Sequence, residues 1–454
     1  MNIFNRIFQV AVTLVAVTCF ASVAAAQSSW QFGKQYTKKF EESWTQSHVI
    51  PATHCGEGTM TAVDADGKPL GKYEVIKNRP VAGPFKAGCA YVFEFPSGAA
   101  AGDYIDFNAT FSIEDGAPMN WVLEIKDGGV WKEGRRYRCH GPAFGGNHVY
   151  TSIYHTFCIK NASSDGKVRI RLRALEGETR PVREDQSNDA TVMFIPATYL
   201  GVKISDFGSV SPKDTTRVLC LGNSFTYFHG SPVMLKELAW NEGHYLDISA
   251  SLKGGWTMAK HLVLPMTNDI VAEGGFDYVF LQDQSQAPAK VGKDKKEHAQ
   301  LIKDMAAMAE KVRDASPKCK PVVECTWAYP GKDYGGFESY EAFYTYARKG
   351  AETMAEAIGE SKISPIADAF DIVRNERPDI NLYHTDSYHQ SKEGSYLKSC
   401  VNYLMLFGEP FGENPADCLL DKEIAAYLRS VAERVQREDC LDAKISVTSQ
   451  FTKR

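Results

Sequence analysis

The feature that most constrains this chain is a change of period near residue 210. Before it, apolar residues recur at every second position. After it, short apolar runs alternate with stretches at helical spacing. "AYVFEF" (90–95), "YIDFNATFSI" (104–113) and "KVRIRLRAL" (167–175) alternate as half-buried strands do. In the last of these, Val168, Ile170, Leu172 and Ala174 would face a core, and Arg169, Arg171 and Arg173 would form a solvated face. "WVLEIKDGGVWKE" reads as a hairpin turning at Asp127-Gly128-Gly129. No long helical period interrupts these runs, so residues 27–210 are expected to form an antiparallel, all-β sandwich domain. "GSVSPKDTT" (208–216) is small, polar and Pro-containing, as a linker would be.

Beyond the linker, "RVLCLG", "YLDISASL", "FDYVFLQ" and "KPVVECTWAY" read as buried strands. Between them lie helical stretches. "SPVMLKELAWNEG" has Ser231 as expected N-cap and Pro232 in its first turn. "DKKEHAQLIKDMAAMAEKVRDA" repeats Leu301, Met305, Met308 and Val312 on one face. "ESYEAFYTYARKGAETMAEAIG" and residues 394–408 complete the set. This alternation predicts an α/β domain over residues 211–454, a mainly parallel sheet flanked by helices. Ligands of such sheets sit beyond the carboxyl ends of the strands.

A length of 454 residues fits more than one domain. Residues 1–26 read as a secretory signal: Arg6, an apolar run, then "AAAQ" with cleavage expected after Ala26. Cys19 could mark a lipoprotein signal, but Thr18 before it fits that poorly. The mature protein is therefore expected outside the cytoplasm, periplasmic or extracellular. No later apolar run reaches the ~18 residues of a membrane span. The formal charge of −5 lacks the basic excess of a nucleic-acid binder. The cysteines other than Cys19 are even in number, and export permits disulfides. Candidate pairs are Cys55 with Cys89, Cys139 with Cys158, and Cys418 with Cys440, whereas Cys220 and Cys325 sit in strand-like runs as buried thiols.

The first strand of the second half runs straight into "GNSFT". Ser224 there is either a helix cap or a nucleophile. A serine hydroxyl needs a base, a group that orients the base, and donors for an oxyanion. "YHTDSYHQSKEGSYL" offers Asp386 and His389, spaced so that the carboxylate can fix the imidazole tautomer. Gly254-Gly255 follow the second strand, and Gln282 and Gln284 end the third, as backbone and side-chain oxyanion donors. Trp256, Trp327, Tyr329 and Tyr334 could stack on a sugar or simply pack.

These stations, in this order, resemble the SGNH (GDSL-type) serine hydrolase superfamily over residues 217 to about 410. There a Ser follows the first strand, a Gly the second and an Asn the third, and D-x-x-H closes the domain. The resemblance implies a three-layer α/β/α flavodoxin-like fold. It implies Ser224 as nucleophile, His389 as base and Asp386 as its orienter. It places the oxyanion on the N–H groups of Ser224 and Gly255 and the amide of Gln284, with Gln282 the alternative. Gln stands where the family has Asn. "LQDQS" with "GSYL" resembles an exported Bacteroidota branch of the superfamily. The expected activity is an exported esterase removing acyl groups, above all acetyl, from carbohydrate, with Trp256 and Tyr329 near the substrate and no metal or organic cofactor. The expected partner is an acylated glycan or small ester. Rival readings are a lipase or thioesterase on the same triad, a metal site at His384, Asp386 and His389, and a glycan-binding protein with a degenerate hydrolase half. If the β-sandwich binds glycan, deleting residues 27–210 weakens action on polymers and spares small esters.

Overall fold

The computed structural model describes residues 59–436 other than 71, 77–78, 96–99, 140–148, 162, 183–189, 191, 196–199, 204–213 and 361–362, together with Trp30–Gln31. The signal segment, Cys55, Cys440 and most of the linker lie outside the described residues, and so do the expectations attached to them.

The N-terminal half is built from β1 (Trp30–Gln31), β2 (Thr59–Val63), β3 (Lys72–Ile76), β4 (Arg79–Gly83), β5 (Ala90–Phe95), β6 (Tyr104–Ile113), β7 (Asn120–Asp127), β8 (Val130–Arg138), β9 (Val149–Cys158), β10 (Val168–Ala174), β11 (Val192–Ile195) and β12 (Leu200–Lys203). One antiparallel sheet runs β1-β2-β5-β10-β7-β8. The other runs β12-β6-β11-β4-β3, with β9 also paired to β6. Alternation puts Phe93, Leu123, Ile170 and Leu172 of the first sheet and Phe107, Phe111, Ile153 and Phe157 of the second into one apolar cluster. The arginines of β10 face the other way. Arg171 and Arg173 pair with Glu124, and Arg169 with Glu94 and Asp165. β7 and β8 form the expected hairpin, with Gly128 and Gly129 at its turn.

The C-terminal half carries a five-stranded sheet of β13 (Thr216–Gly222), β14 (Leu246–Leu252), β15 (Tyr278–Leu281), β16 (Lys320–Glu324) and β17 (Ile363–Ser364), ordered β14-β13-β15-β16-β17. Every pairing in it is parallel. That is the strand order of flavodoxin-type sheets, whose ligands bind where the order reverses, beside the first strand. The helices are α1 (Ser224–Tyr227), α2 (Ser231–Asn241), α3 (Met258–Val263), α4 (Pro265–Ala272), α5 (Ala287–Lys293), α6 (Ala299–Ala315), α7 (Tyr340–Ala357), α8 (Ile366–Glu376), α9 (Lys392–Phe407) and α10 (Lys422–Gln436). Successive β13 residues divide between two cores. Val218 and Cys220 join Leu238 of α2, Phe370 of α8 and Val401 of α9. Leu219 and Leu221 join Met258 of α3, Ile270 of α4 and Met308 of α6. Helices thus cover both faces.

The two halves touch along one edge. β9 runs beside the edge strand β14, and Tyr154 of β9 belongs to the same apolar cluster as β14. Arg135 of β8 donates to Ser249 Oγ at 2.9 Å and clamps Glu273 with its remaining nitrogens.

Two local expectations are corrected. Ser231 is not the cap of α2: Gly230 holds that place at φ +67, and Ser231 enters the first turn with its hydroxyl on Ser399. Cys139 and Cys158 are both free. Cys139 is buried with Thr151 Oγ1 on its sulfur at 3.3 Å, while Cys158 is exposed. Cys220 and Cys325 are buried thiols as expected, and burial pushes Cys220 up to about 12.

Candidate active site

β13 ends at Gly222, and the chain turns at once into the single turn α1. Gly222 is required by close approach: a Cβ there would lie 2.7 Å from Gln282 Oε1 and 2.9 Å from Thr226 Oγ1. Asn223 caps α1, its Oδ1 accepting from the Phe225 N–H at 3.1 Å. Its Nδ2 donates to Trp256 O at 2.9 Å and Asp283 O at 3.2 Å, so one side chain ties together the loops after β13, β14 and β15. Ser224 therefore both begins a helix and sits at the carboxyl end of the sheet.

His389 Nε2 lies 2.7 Å from Ser224 Oγ, and His389 Nδ1 lies 2.6 Å from Asp386 Oδ2. A carboxylate only accepts, so Nδ1 carries the proton and Nε2 is left as acceptor for the serine hydroxyl. Asp386 Oδ1 also accepts from the N–H groups of Tyr388 and His389, closing a tight turn at Ser387, φ +65. Burial pushes the Asp386 carboxyl up, but the hydrogen bonds from His389 and these amides outweigh it and hold it below the usual carboxylate range. Phe228 stacks on the His389 ring with centroids 3.8 Å apart, and Tyr388 lies against it at 4.1 Å.

The expected oxyanion donors are only partly together. The N–H groups of Ser224 and Gly255 donate to no acceptor among the described residues. Gly255 stands exposed at φ +69, a conformation that favours glycine. Gln284 is turned along its own loop: Nε2 donates to Ser285 Oγ at 3.1 Å, and Oε1 accepts from the Gln286 N–H at 3.0 Å. Gln282 is wholly buried beneath the turn, and its Oε1 accepts from the Asn223 N–H at 2.9 Å and Thr226 Oγ1 at 3.0 Å. It braces the serine turn from the interior and presents no surface to solvent.

Trp256 is half-buried, with Lys253 Nζ 5.5 Å from its ring centroid. Burial lowers Lys253 to about 8. Tyr329 is buried, its hydroxyl taking Gln286 Nε2 at 3.0 Å, and Trp327 is packed between Phe225 and Phe370. The exposed aromatic beside His389 is Tyr388, which the sequence reading passed over. It lies inside "DSYH", and an aromatic between the two members of a D-x-x-H was the available signal. His384 is near but outside the Ser-His-Asp line. Both ring nitrogens of His389 are taken by Ser224 and Asp386, and among the described residues no three His, Cys, Asp or Glu side chains converge as a metal site would need.

Other groups under the turn also escaped the sequence reading. His261 is fully buried. Its Nε2 donates to Gly222 O at 2.9 Å, and its Nδ1 accepts from Thr267 Oγ1 at 3.0 Å. Burial keeps it neutral, lowered to about 4. Asp283, pushed up to about 6 by burial, accepts from the N–H groups of Met258 and Gln284. Lys398 and Glu324 form an ion pair in the interior.

No family model and no curated protein matches the chain. Among solved structures, a DUF4886 family protein from Bacteroides uniformis is similar at 19% identity, covering 50% of this chain and 96% of that one at a TM-score of 0.43. The acetylxylan esterase Axe2 from Geobacillus stearothermophilus is 14% identical, covering 45% of this chain and 99% of that one at a TM-score of 0.33. A family two carbohydrate esterase from Clostridium thermocellum, 8% identical, covers 77% of this chain and 98% of that one at a TM-score of 0.30. Likeness of this degree does not carry a substrate from one protein to another.

Proposed function

We propose that this protein is a serine ester hydrolase, and that its natural substrate is an acylated, most simply an acetylated, carbohydrate. The observation that carries the hydrolase reading is the Ser224–His389–Asp386 line of hydrogen bonds, 2.7 and 2.6 Å long, at the carboxyl end of a parallel sheet. Ser224 Oγ attacks the ester carbonyl carbon while His389 Nε2 takes its proton. The oxyanion is met by the N–H groups of Ser224 and Gly255. Gln284 joins them once its amide, which has a second hydrogen beyond the one given to Ser285, swings from its loop. The carbon–oxygen bond to the alcohol breaks, and His389 returns the proton to the leaving oxygen. Water, deprotonated by His389, then frees the acyl group from Ser224. Asp386, held ionised, stabilises the imidazolium in both steps.

The carbohydrate part rests on the signal-like N-terminus, on the motif resemblance, and on the fused N-terminal half, read as a β-sandwich accessory domain over residues 27–210 ahead of a hydrolase domain over 211–454. The exposed Tyr388 beside His389 favours it over a long-chain lipase, because tyrosine offers a flat face with a polar tip. The test is hydrolysis of p-nitrophenyl acetate, then of acetylated oligosaccharides, by the wild type and Ser224→Ala. The expected result is turnover in the first and a loss of about 10³-fold or more in the second. Equal rates would remove Ser224 from the mechanism, and equal preference for long acyl chains would remove the sugar.

A further inference from the structure

We infer that the buried pair Lys398–Glu324 is a positioning element for the Ser224 hydroxyl, an inference that rests on the hydrolase reading above. Lys398 on α9 and Glu324 at the end of β16 are each 1% exposed. The ammonium of Lys398 has three hydrogens and three partners: Glu324 Oε2 at 2.6 Å, Phe225 O at 3.0 Å and Thr226 Oγ1 at 3.2 Å. The second Glu324 oxygen accepts from Asn402 Nδ2 at 2.8 Å, and Asn402 Oδ1 accepts from Ser364 Oγ at 2.6 Å. Asn402 lies one helical turn after Lys398, on the same face of α9.

Stability alone does not account for two charges in this place. Taking both from water is expensive, and a well-packed apolar pair commonly serves a core as well or better. What apolar side chains cannot supply is a donor to Phe225 O, the carbonyl immediately after Ser224. That same carbonyl also accepts from Gln390 Nε2 at 3.1 Å, and Gln390 directly follows His389. One oxygen thus joins the serine turn to the helix bearing Lys398 and to the segment bearing the base. The other branch closes the loop. Thr226 Oγ1 accepts from Lys398 and donates to Gln282 Oε1, which in turn holds the Asn223 N–H. Lys398 therefore governs the turn on both sides of Ser224, and Glu324 balances its charge. Neither residue touches a reacting atom. They act through the backbone that aims the hydroxyl, where a displacement of 1 Å can cost about 10²-fold in rate.

The experiment measures kcat and KM on p-nitrophenyl acetate per serine titrated with a fluorophosphonate. It uses the full chain with Lys398→Met combined with Glu324→Gln, which removes both charges together so that no ion is left stranded. The expected result is a cooperative melt, a kcat lower by about 10- to 100-fold and a KM within about 2-fold of wild type. Lys398→Arg, which keeps charge and donors, should retain more kcat than the double variant; an arginine no better than the double variant counts against the donor role. A merely structural pair would lower the melting temperature and leave kcat per titrated serine unchanged, and that result overturns the inference. If the double variant does not melt cooperatively, Thr226→Val decides: a kcat loss of about 3- to 10-fold at constant KM supports the inference, and wild-type kcat overturns it. A wild type that neither turns over the ester nor takes the label sinks the hydrolase reading and this inference with it, before any substitution is made.

Discussion

Beneath Ser224 and above it, the same turn meets two kinds of surroundings. On the underside, Gly222 O accepts from His261 and from the Lys253 N–H, the Asn223 N–H meets Gln282, and Phe225 O meets Lys398 and Gln390. These side chains are buried, and their partners come from loops and helices far apart in the chain. On the outer side, the N–H groups of Ser224 and Gly255 have no acceptor among the described residues, Gly255 is exposed and Gln284 is only half-buried. The underside over-determines the backbone, so that donors on the outer side can stay unpaired without the turn collapsing onto them. Preorganised donors of that kind are what a developing oxyanion needs.

Substitutions at graded distances from Ser224 test this contrast. The largest effect belongs to Asp386→Asn, which leaves the shape but lets His389 adopt the wrong tautomer. A fall of about 10³- to 10⁴-fold in kcat is expected in steady-state assays on a small ester, and a wild-type rate would detach Asp386 from the chemistry. Next comes the outer side. Gln284→Ala should cost about 10²-fold in kcat, the scale of one lost oxyanion donor. An unchanged kcat would leave the oxyanion to the two backbone groups. On the underside, Gln282→Leu strands the Asn223 N–H and takes from the Thr226 hydroxyl its nearer acceptor. About 2 kcal/mol of stability should go, read as a lower urea midpoint at an unchanged m-value.

The smallest effect is on the pH dependence of stability, where two buried groups oppose each other. His261 is lowered to about 4, so its contribution is present above its unfolded pKa near 6.5 and is lost as the pH falls through that window. Asp283 is raised to about 6, so its contribution is present below about 3.9 and is lost as the pH rises through 6. Between pH 4 and 6 the two nearly cancel. Asp283→Asn should remove one side of the balance and steepen the loss of stability on acidification, as followed by urea midpoints. Parallel wild-type and variant curves would show that Asp283 does not titrate in that range.

The strands and the Ser-His-Asp line were legible in the sequence because their signals are local. An apolar run ends in Gly-Asn-Ser, and Asp386 and His389 are three residues apart. The supporting side chains were illegible because burial is not local. Glu324 and Lys398 are 74 residues apart, and each looked like an ordinary charge. A clue existed in "GSYLKSCVNYLMLFG", where Lys398 and Asn402 share one face of an otherwise apolar helix. Such a face must find a buried partner for its charge. Gln282 and Gln284 could not be told apart by register, since a strand end gives direction only once its neighbours are placed. Ser231-Pro232 reads as an N-cap followed by a first-turn proline, whereas Gly230 takes the cap place at φ +67 and moves Ser231 into the first turn.

The seam between the halves bears on how the protein can be dissected. Strand β14 is the outer strand of its sheet, and β9 and Arg135 cover it. Cutting away residues 27–210 would unroof a bare strand edge and leave Glu273 without its guanidinium, the kind of surface on which chains stack into aggregates. A shortened protein that precipitates or loses all activity would then report an exposed edge and nothing about sugar recognition. The N-terminal half is better probed by surface substitutions that leave the seam intact, because that half also covers the edge strand of its neighbour.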